Sequence, residues 1–167
     1  MYDKPATTIA HRTRPAHRRA AVWLAAMAAV GAIANPQNPQ VVSGQATFQG
    51  SANQLTVTNT PGAIIQWQSF GIKRGELTRF VQQNASSSVL NRVTGADPSR
   101  ILGALQSNGR VFIINPNGIV FGAGSQVDVA GLVVSSLKLS DQDFLAGRLR
   151  FGDTPGAGEV RNEGRIR

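Results

Sequence analysis

The sequence predicts an all-β fold built from short strands that stack on one another. Three observations predict it. Runs of three to five β-branched or aromatic residues recur along the chain. Tight turns rich in Gly, Asn and Pro separate them, too closely spaced for helical crossovers. The two candidate helical segments are each only a turn or two long.

The chain divides first at its N-terminal end. Lys4, Arg12, Arg14, Arg18 and Arg19 make residues 1–19 basic, with Asp3 as the one acid. An uncharged run of 15 residues follows, Ala20 to Ala34, ending in the small-x-small pattern Ala32-Ile33-Ala34. A basic start, a short apolar run and such a site together predict a secretory signal peptide over residues 1–34. A membrane span needs about 20 apolar residues. Residues 35–167 then form the mature domain. They hold 12 Lys and Arg against 8 Asp and Glu, so the chain's net charge of +8 falls to +4 once the leader is set aside. The remaining positive charge is scattered, without the stripe that nucleic acid binding requires.

Residues 35–40, NPQNPQ, read as extended and polar. Short strands are expected at Val41-Val42, Ala46–Phe48, Leu55–Thr58, Ala63–Trp67 and Leu77–Val81. Turns are expected at Ser43-Gly44, Gly50-Ser51 and Thr60-Pro61-Gly62. Asp97-Pro98, with Ile101, Leu102 and Leu105 on one side, predicts a helical turn. Ser140 and Asp143 have capping-box spacing ahead of Phe144 and Leu145, with Gly147 placed to close a second helical turn.

The stretch from Arg110 to Leu139 is the most informative. Val111–Ile114 is apolar at every position, so both of its faces should be covered. Asn115-Pro116-Asn117-Gly118 matches a type I turn residue by residue: Asn to bond back to the backbone, Pro to preset φ, Gly in fourth place. Ile119–Phe121 and Gln126–Val129 resume as strands, Ala130-Gly131 turns, and Leu132–Val134 begins another. Such strands form either antiparallel hairpins or the sides of a solenoid whose coils repeat at about 4.8 Å. The segment from Glu159 to Arg167 reads as the start of a further coil, cornered at Asn162 and Gly164. It favours the solenoid and the front part of a longer protein.

Residues 35–167 contain no His, Cys, Tyr or Met. They therefore lack the usual general base, the thiol nucleophile and soft metal ligands. The acids form no recognisable catalytic pair, so neither an enzyme, a cofactor nor a small-molecule substrate is expected.

Six segments follow one another in a telling order: Ile64–Ile72 (IIQWQSFGI), Phe80–Gln83 (FVQQ), Val89–Gly95 (VLNRVTG), Ile101–Leu105 (ILGAL), Asn108–Ile119 (NGRVFIINPNGI) and Asp143-Phe144. From about Val41 to Phe151 they resemble the haemagglutination-activity, or two-partner-secretion, domain of filamentous-haemagglutinin-like exoproteins. The chain has no N-P-N-L segment, a second motif of some members. The resemblance implies a right-handed parallel β-helix with an N-terminal β cap and side hairpins. It implies passage through the periplasm of a Gram-negative bacterium, recognition by an outer-membrane β-barrel transporter with periplasmic modules, and delivery to the surface or the medium. It places activity elsewhere in the exoprotein. Transporter recognition is expected at Asn115, Pro116, Asn117 and Gly118, and at Asn91 and Arg92. For the first four, a register-fixing corner turn is the other reading. Asn91 is expected to bond backbone groups at a coil corner, with Arg92 on the surface. Trp67 and Phe70 are expected to fill the core or cap, and Phe112, Ile114, Val120 and Phe121 the core or a covered face. An adhesin module that itself contacts host surfaces or glycans is the alternative function.

Overall fold

The computed structural model describes residues 35–167. The signal-peptide reading, on residues 1–34, lies outside the described residues. Among the described residues, fourteen strands and one short helix follow in order. They are β1 (Gln40–Ser43), β2 (Ala46–Gly50), β3 (Gln54–Asn59), β4 (Ala63–Trp67), β5 (Leu77–Val81), β6 (Ser88–Val93), β7 (Ser99–Ile101), β8 (Ala104–Ile114), β9 (Ile119–Phe121), β10 (Gln126–Ser135), β11 (Lys138–Leu139), α1 (Asp141–Leu145), β12 (Phe151–Gly152), β13 (Val160–Asn162) and β14 (Arg165–Ile166).

Three parallel ladders run side by side, so the solenoid and not the hairpin meander is what forms. The first stacks β3, β5, the front half of β8, the front half of β10 and β14. Gln54, Leu77, Ala104, Gln126 and Arg165 lie in one column. The second stacks β4, β6 and the rear halves of β8 and β10, with Ala63, Val89, Val111 and Leu132 in register. The third stacks Ile72, β7, β9 and β13. Each coil passes through all three ladders in turn, and four coils are complete within the described residues. Antiparallel strands close the N-terminal end: β1 on β4 and β2 on β3. Gln37 adds an antiparallel bridge to Ser69 beside them.

Alternation with period two decides what faces inward. Ala63, Ile65, Val89, Val93, Val111 and Ile113 point into the coil and join Val57, Phe80, Leu105 and Phe121 in one core. Ile64, Leu90, Phe112 and Ile114 point outward, yet are buried in a second cluster with Leu139 and Phe144. The apolar run Val111–Ile114 is thus covered on both faces, as expected. The outer cover is an excursion between β10 and β13. In it β11 pairs antiparallel with β12, and α1 lies between them.

Two local expectations fail. The segment from Asp97 to Leu105 is not helical: Ser99–Ile101 is β7, and β8 starts at Ala104. The apolar spacing of Ile101 and Leu105 also fits period two. Both side chains are fully buried in the coil, and the ladder hydrogen bonds outweigh the Asp-Pro start signal. Ala130-Gly131 is no turn either. β10 runs through it, with a register irregularity between Val129 and Gly131 that carries the strand from the first ladder to the second. The second helical turn forms as expected. Ser140 Oγ accepts from the Asp143 backbone N–H at 3.1 Å, capping α1.

Candidate functional site

The Asn115–Gly118 turn is formed by its own side chains. Gly118 N–H donates to Asn115 O at 3.0 Å, closing the turn, and Asn117 N–H donates to Asn115 Oδ1 at 3.0 Å. Gly118 has φ +105°, a backbone conformation that side-chain-bearing residues avoid. A Cβ there would sit 2.9 Å from Glu159 O.

The turn is also fastened to the coils on either side. Asn115 Nδ2 donates to Asp97 O and Ser99 Oγ, both at 3.0 Å, and Asn117 Nδ2 donates to Gly95 O at 2.8 Å. Pro116 O accepts from Gly158 N–H at 2.8 Å. Asn115 is fully buried and Gly118 is buried; Pro116 is half-buried, and Asn117 alone is exposed. The corner-turn reading therefore holds in the folded domain.

Asn91 departs from its expected place. It lies within β6, not at a corner, in the inward-facing column of Ile65, Ile113 and Val134. It has no exposed surface. Its Oδ1 accepts from Trp67 Nε1–H at 2.9 Å and its Nδ2 donates to Phe112 O at 3.1 Å. The alternation Val89, Asn91, Val93 is what aims it inward; its two partners are non-local, so the spacing of residues nearby does not reveal them.

Arg92, its outward neighbour, is not free on the surface. Its guanidinium donates to Leu139 O at 2.7 Å and pairs with Asp141 at 2.7 Å, so it holds down the excursion. Phe144 completes the contact, packing edge-on against Phe112 with ring centroids 5.1 Å apart. Asp143, at the cap, is held below its ordinary value of 3.8, first by a hydrogen bond from Arg148 and then by one from Ser140.

Trp67 and Phe70 fill the core as expected, at the centre of an aromatic series from cap to coil. Phe48–Trp67 and Trp67–Phe70 meet edge-on with centroids 5.6 and 5.8 Å apart, and Phe70 stacks on Phe80 at 6.5 Å. Phe112, Ile114 and Phe121 are buried, whereas Val120 is only half-buried.

One corner escaped residue-level reading. Gln82 N–H donates to Asn108 Oδ1 and Asn108 Nδ2 donates back to Gln82 O, each at 2.7 Å. Gln82 Nε2 reaches Ser107 Oγ and Arg110 O at 3.1 and 3.0 Å. Gly109 leaves room for that side chain, since a Cβ there would meet the Gln82 amide at 2.5 Å. The pairing spans one whole coil, and only Asn108-Gly109 as a turn signal hints at it. Among the described residues, no group of three His, Cys, Asp or Glu side chains is placed to hold a metal ion.

The sequence and the coiled-strand fold are both matched by known proteins. The model of the TPS secretion domain matches residues 32–166. The chain belongs to the TPS secretion domain family. The crystal structure of the HMW1 secretion domain from Haemophilus influenzae resembles it with a TM-score of 0.76 and 38% identity. That match covers 79% of this chain and 36% of that one. Two heme/hemopexin-binding proteins of Haemophilus influenzae are also similar. One, from strain Rd, is 34% identical over 141 residues, 79% of this chain and 16% of the relative. The other is 35% identical over 106 residues, 62% of this chain and 11% of the relative. The TPS domain described here thus spans a small part of its curated relatives' length. A TPS domain is a secretion domain, and its presence implies a cognate outer-membrane transporter and export through the periplasm.

Proposed function

We propose that residues 35–167 are the export signal of a larger exoprotein, read in the periplasm by the periplasmic modules of its own outer-membrane β-barrel. Residues 1–34 serve as the leader that brings the chain there, and the product is released or held at the cell surface. The domain carries out no catalysis of its own.

One observation shapes how recognition works. Of the six candidate recognition residues, Asn91, Asn115 and Gly118 are buried, and Arg92 is engaged by Leu139 and Asp141. Their side chains and backbone are open to a transporter before the coils close, so the segments Val89–Gly95 and Asn115–Gly118 are read in the unfolded chain. Slow non-local pairing of parallel strands, with no disulfide to hasten it, leaves time for that reading. Docking by strand addition suits such a chain. After export the same residues tie the coils together, and folding outside opposes return. The family match, which extends over residues 32–166, is the observation that carries this function.

Deleting residues 35–151 from the full exoprotein, with leader and transporter retained, should abolish its appearance outside the cell. Export at the normal level would refute the proposal. Direct glycan binding is the less favoured reading, because Trp67 is buried and cannot stack on a sugar ring.

A further inference from the structure

We propose that Asn91 and Trp67 form a register pin, a polar pair inside the coil that selects one stacking of β4 on β6 among several that apolar packing alone would accept.

The interior of the second ladder is almost uniformly apolar. Its inward columns read Ala63, Val89, Val111, Leu132 and Ile65, Asn91, Ile113, Val134, with Trp67 beside Val93. A slip of two residues keeps every inward side chain facing inward. Moving β6 so that Asn91 meets Ala63 would set Val93 against Ile65, one apolar residue exchanged for another. Burial therefore discriminates poorly between the two registers.

The polar pair discriminates well. Asn91 and Trp67 are both fully buried, and neither has water as a fallback partner. In the native register the Asn91 amide spans three coils: it accepts from Trp67 Nε1–H in the first and donates to Phe112 O in the third. The slip toward Ala63 carries Asn91 two residues further along the strand from Trp67, about 6.6 Å. That distance leaves the indole N–H and the amide oxygen both unmatched in an apolar interior. The opposite slip brings Ser87 against Ala63 and takes Val93 past the end of β4. The aromatic series then fixes the pin's far end. Trp67 is held between Phe48 of the cap and Phe70, so its N–H cannot follow Asn91 along the strand. A single buried polar residue that selects register at some expense in stability is a known use of such groups.

The chain's lack of cysteine makes the register directly readable. Gln66 faces Arg92 in the native pairing, so a Gln66→Cys, Arg92→Cys pair reports that register. An Ile64→Cys, Arg92→Cys pair reports the slip toward Ala63. Each pair is oxidised during refolding of the 35–167 chain, with and without Asn91→Leu, and disulfide yields are compared. The native-to-slipped ratio should fall about tenfold in Asn91→Leu, the size expected when one buried partner is removed. Thermal stability should fall as well, because Trp67 Nε1–H and Phe112 O lose their buried partner. Trp67→Phe keeps one six-membered ring, removes the N–H with the rest of the indole, and should shift the ratio the same way. It carries the test should Asn91→Leu fail to fold. An unchanged ratio in the folded variants would overturn the proposal and leave Asn91 as filler.

Discussion

Asn115 makes four hydrogen bonds with one side chain: to Asp97 O, to Ser99 Oγ, and from the backbone and side chain of Asn117. Asn115→Ala should therefore cost about 2–4 kcal/mol, as several buried partners lose their match at once. Asn117→Ala, at the exposed corner, should cost under about 1 kcal/mol. Urea titration of the 35–167 chain checks both, read as shifted midpoints at constant slope. Gly109→Ala forces Gln82 away from Ser107 and Arg110, and should cost about 1–3 kcal/mol in the same titration. At this scale the Asn115–Gly118 turn was legible because turn chemistry is local: Asn, Pro and Gly act on backbone within four residues. The hydrogen bonds of Asn91 were not, since its partners Trp67 and Phe112 lie 24 and 21 residues away. The tether from Arg92 to the excursion is hidden for the same reason, since Leu139 lies 47 residues away.

The excursion over the second ladder is the element with the most separable energetics. Phe144 is its apolar anchor, and Phe144→Ala should cost about 3 kcal/mol. Arg92→Ala should cost about 1–2 kcal/mol, nearly all of it from the bond to Leu139 O, because Asp141 is half exposed and its ion pair contributes little. Hydrogen exchange should show both variants losing protection first across β11–β12 while β4, β6 and β8 remain protected. Acid should act in the same place. Asp143 is held below its ordinary value of 3.8 when folded, so its cap contribution is present above that value. The contribution is lost as pH falls through the lowered folded value. Arg148→Ala removes the largest cause of the lowering, and should move this loss to higher pH. A pH titration of amide protection in residues 140–147 reads the shift. The helix here was legible through its capping spacing. The Asp97–Leu105 segment carried a similar signal and became strand, because stacked neighbours on both sides supply ladder hydrogen bonds that a short helix cannot match.

Over the whole molecule, the solenoid follows from short strands with corners and from interiors that alternate with period two. Strand positions were largely readable. The merging of two ladder strands into β8 and β10 was not, because Asn108-Gly109 and Ala130-Gly131 carry a turn signal yet bend the strand without ending it. Every parallel strand pairing joins residues 20 or more positions apart, so the coils close late and together. Under the proposed function, the residues read by the transporter are consumed when the chain folds. The direct measurement is binding of the transporter's isolated periplasmic modules to the 35–167 chain, folded and, in the same final solvent, freshly diluted from urea before it has refolded. Binding to the unfolded chain should be at least about tenfold tighter, and Asn115→Ala and Arg92→Ala should weaken it. Equal or tighter binding to the folded coil stack would contradict the proposed function.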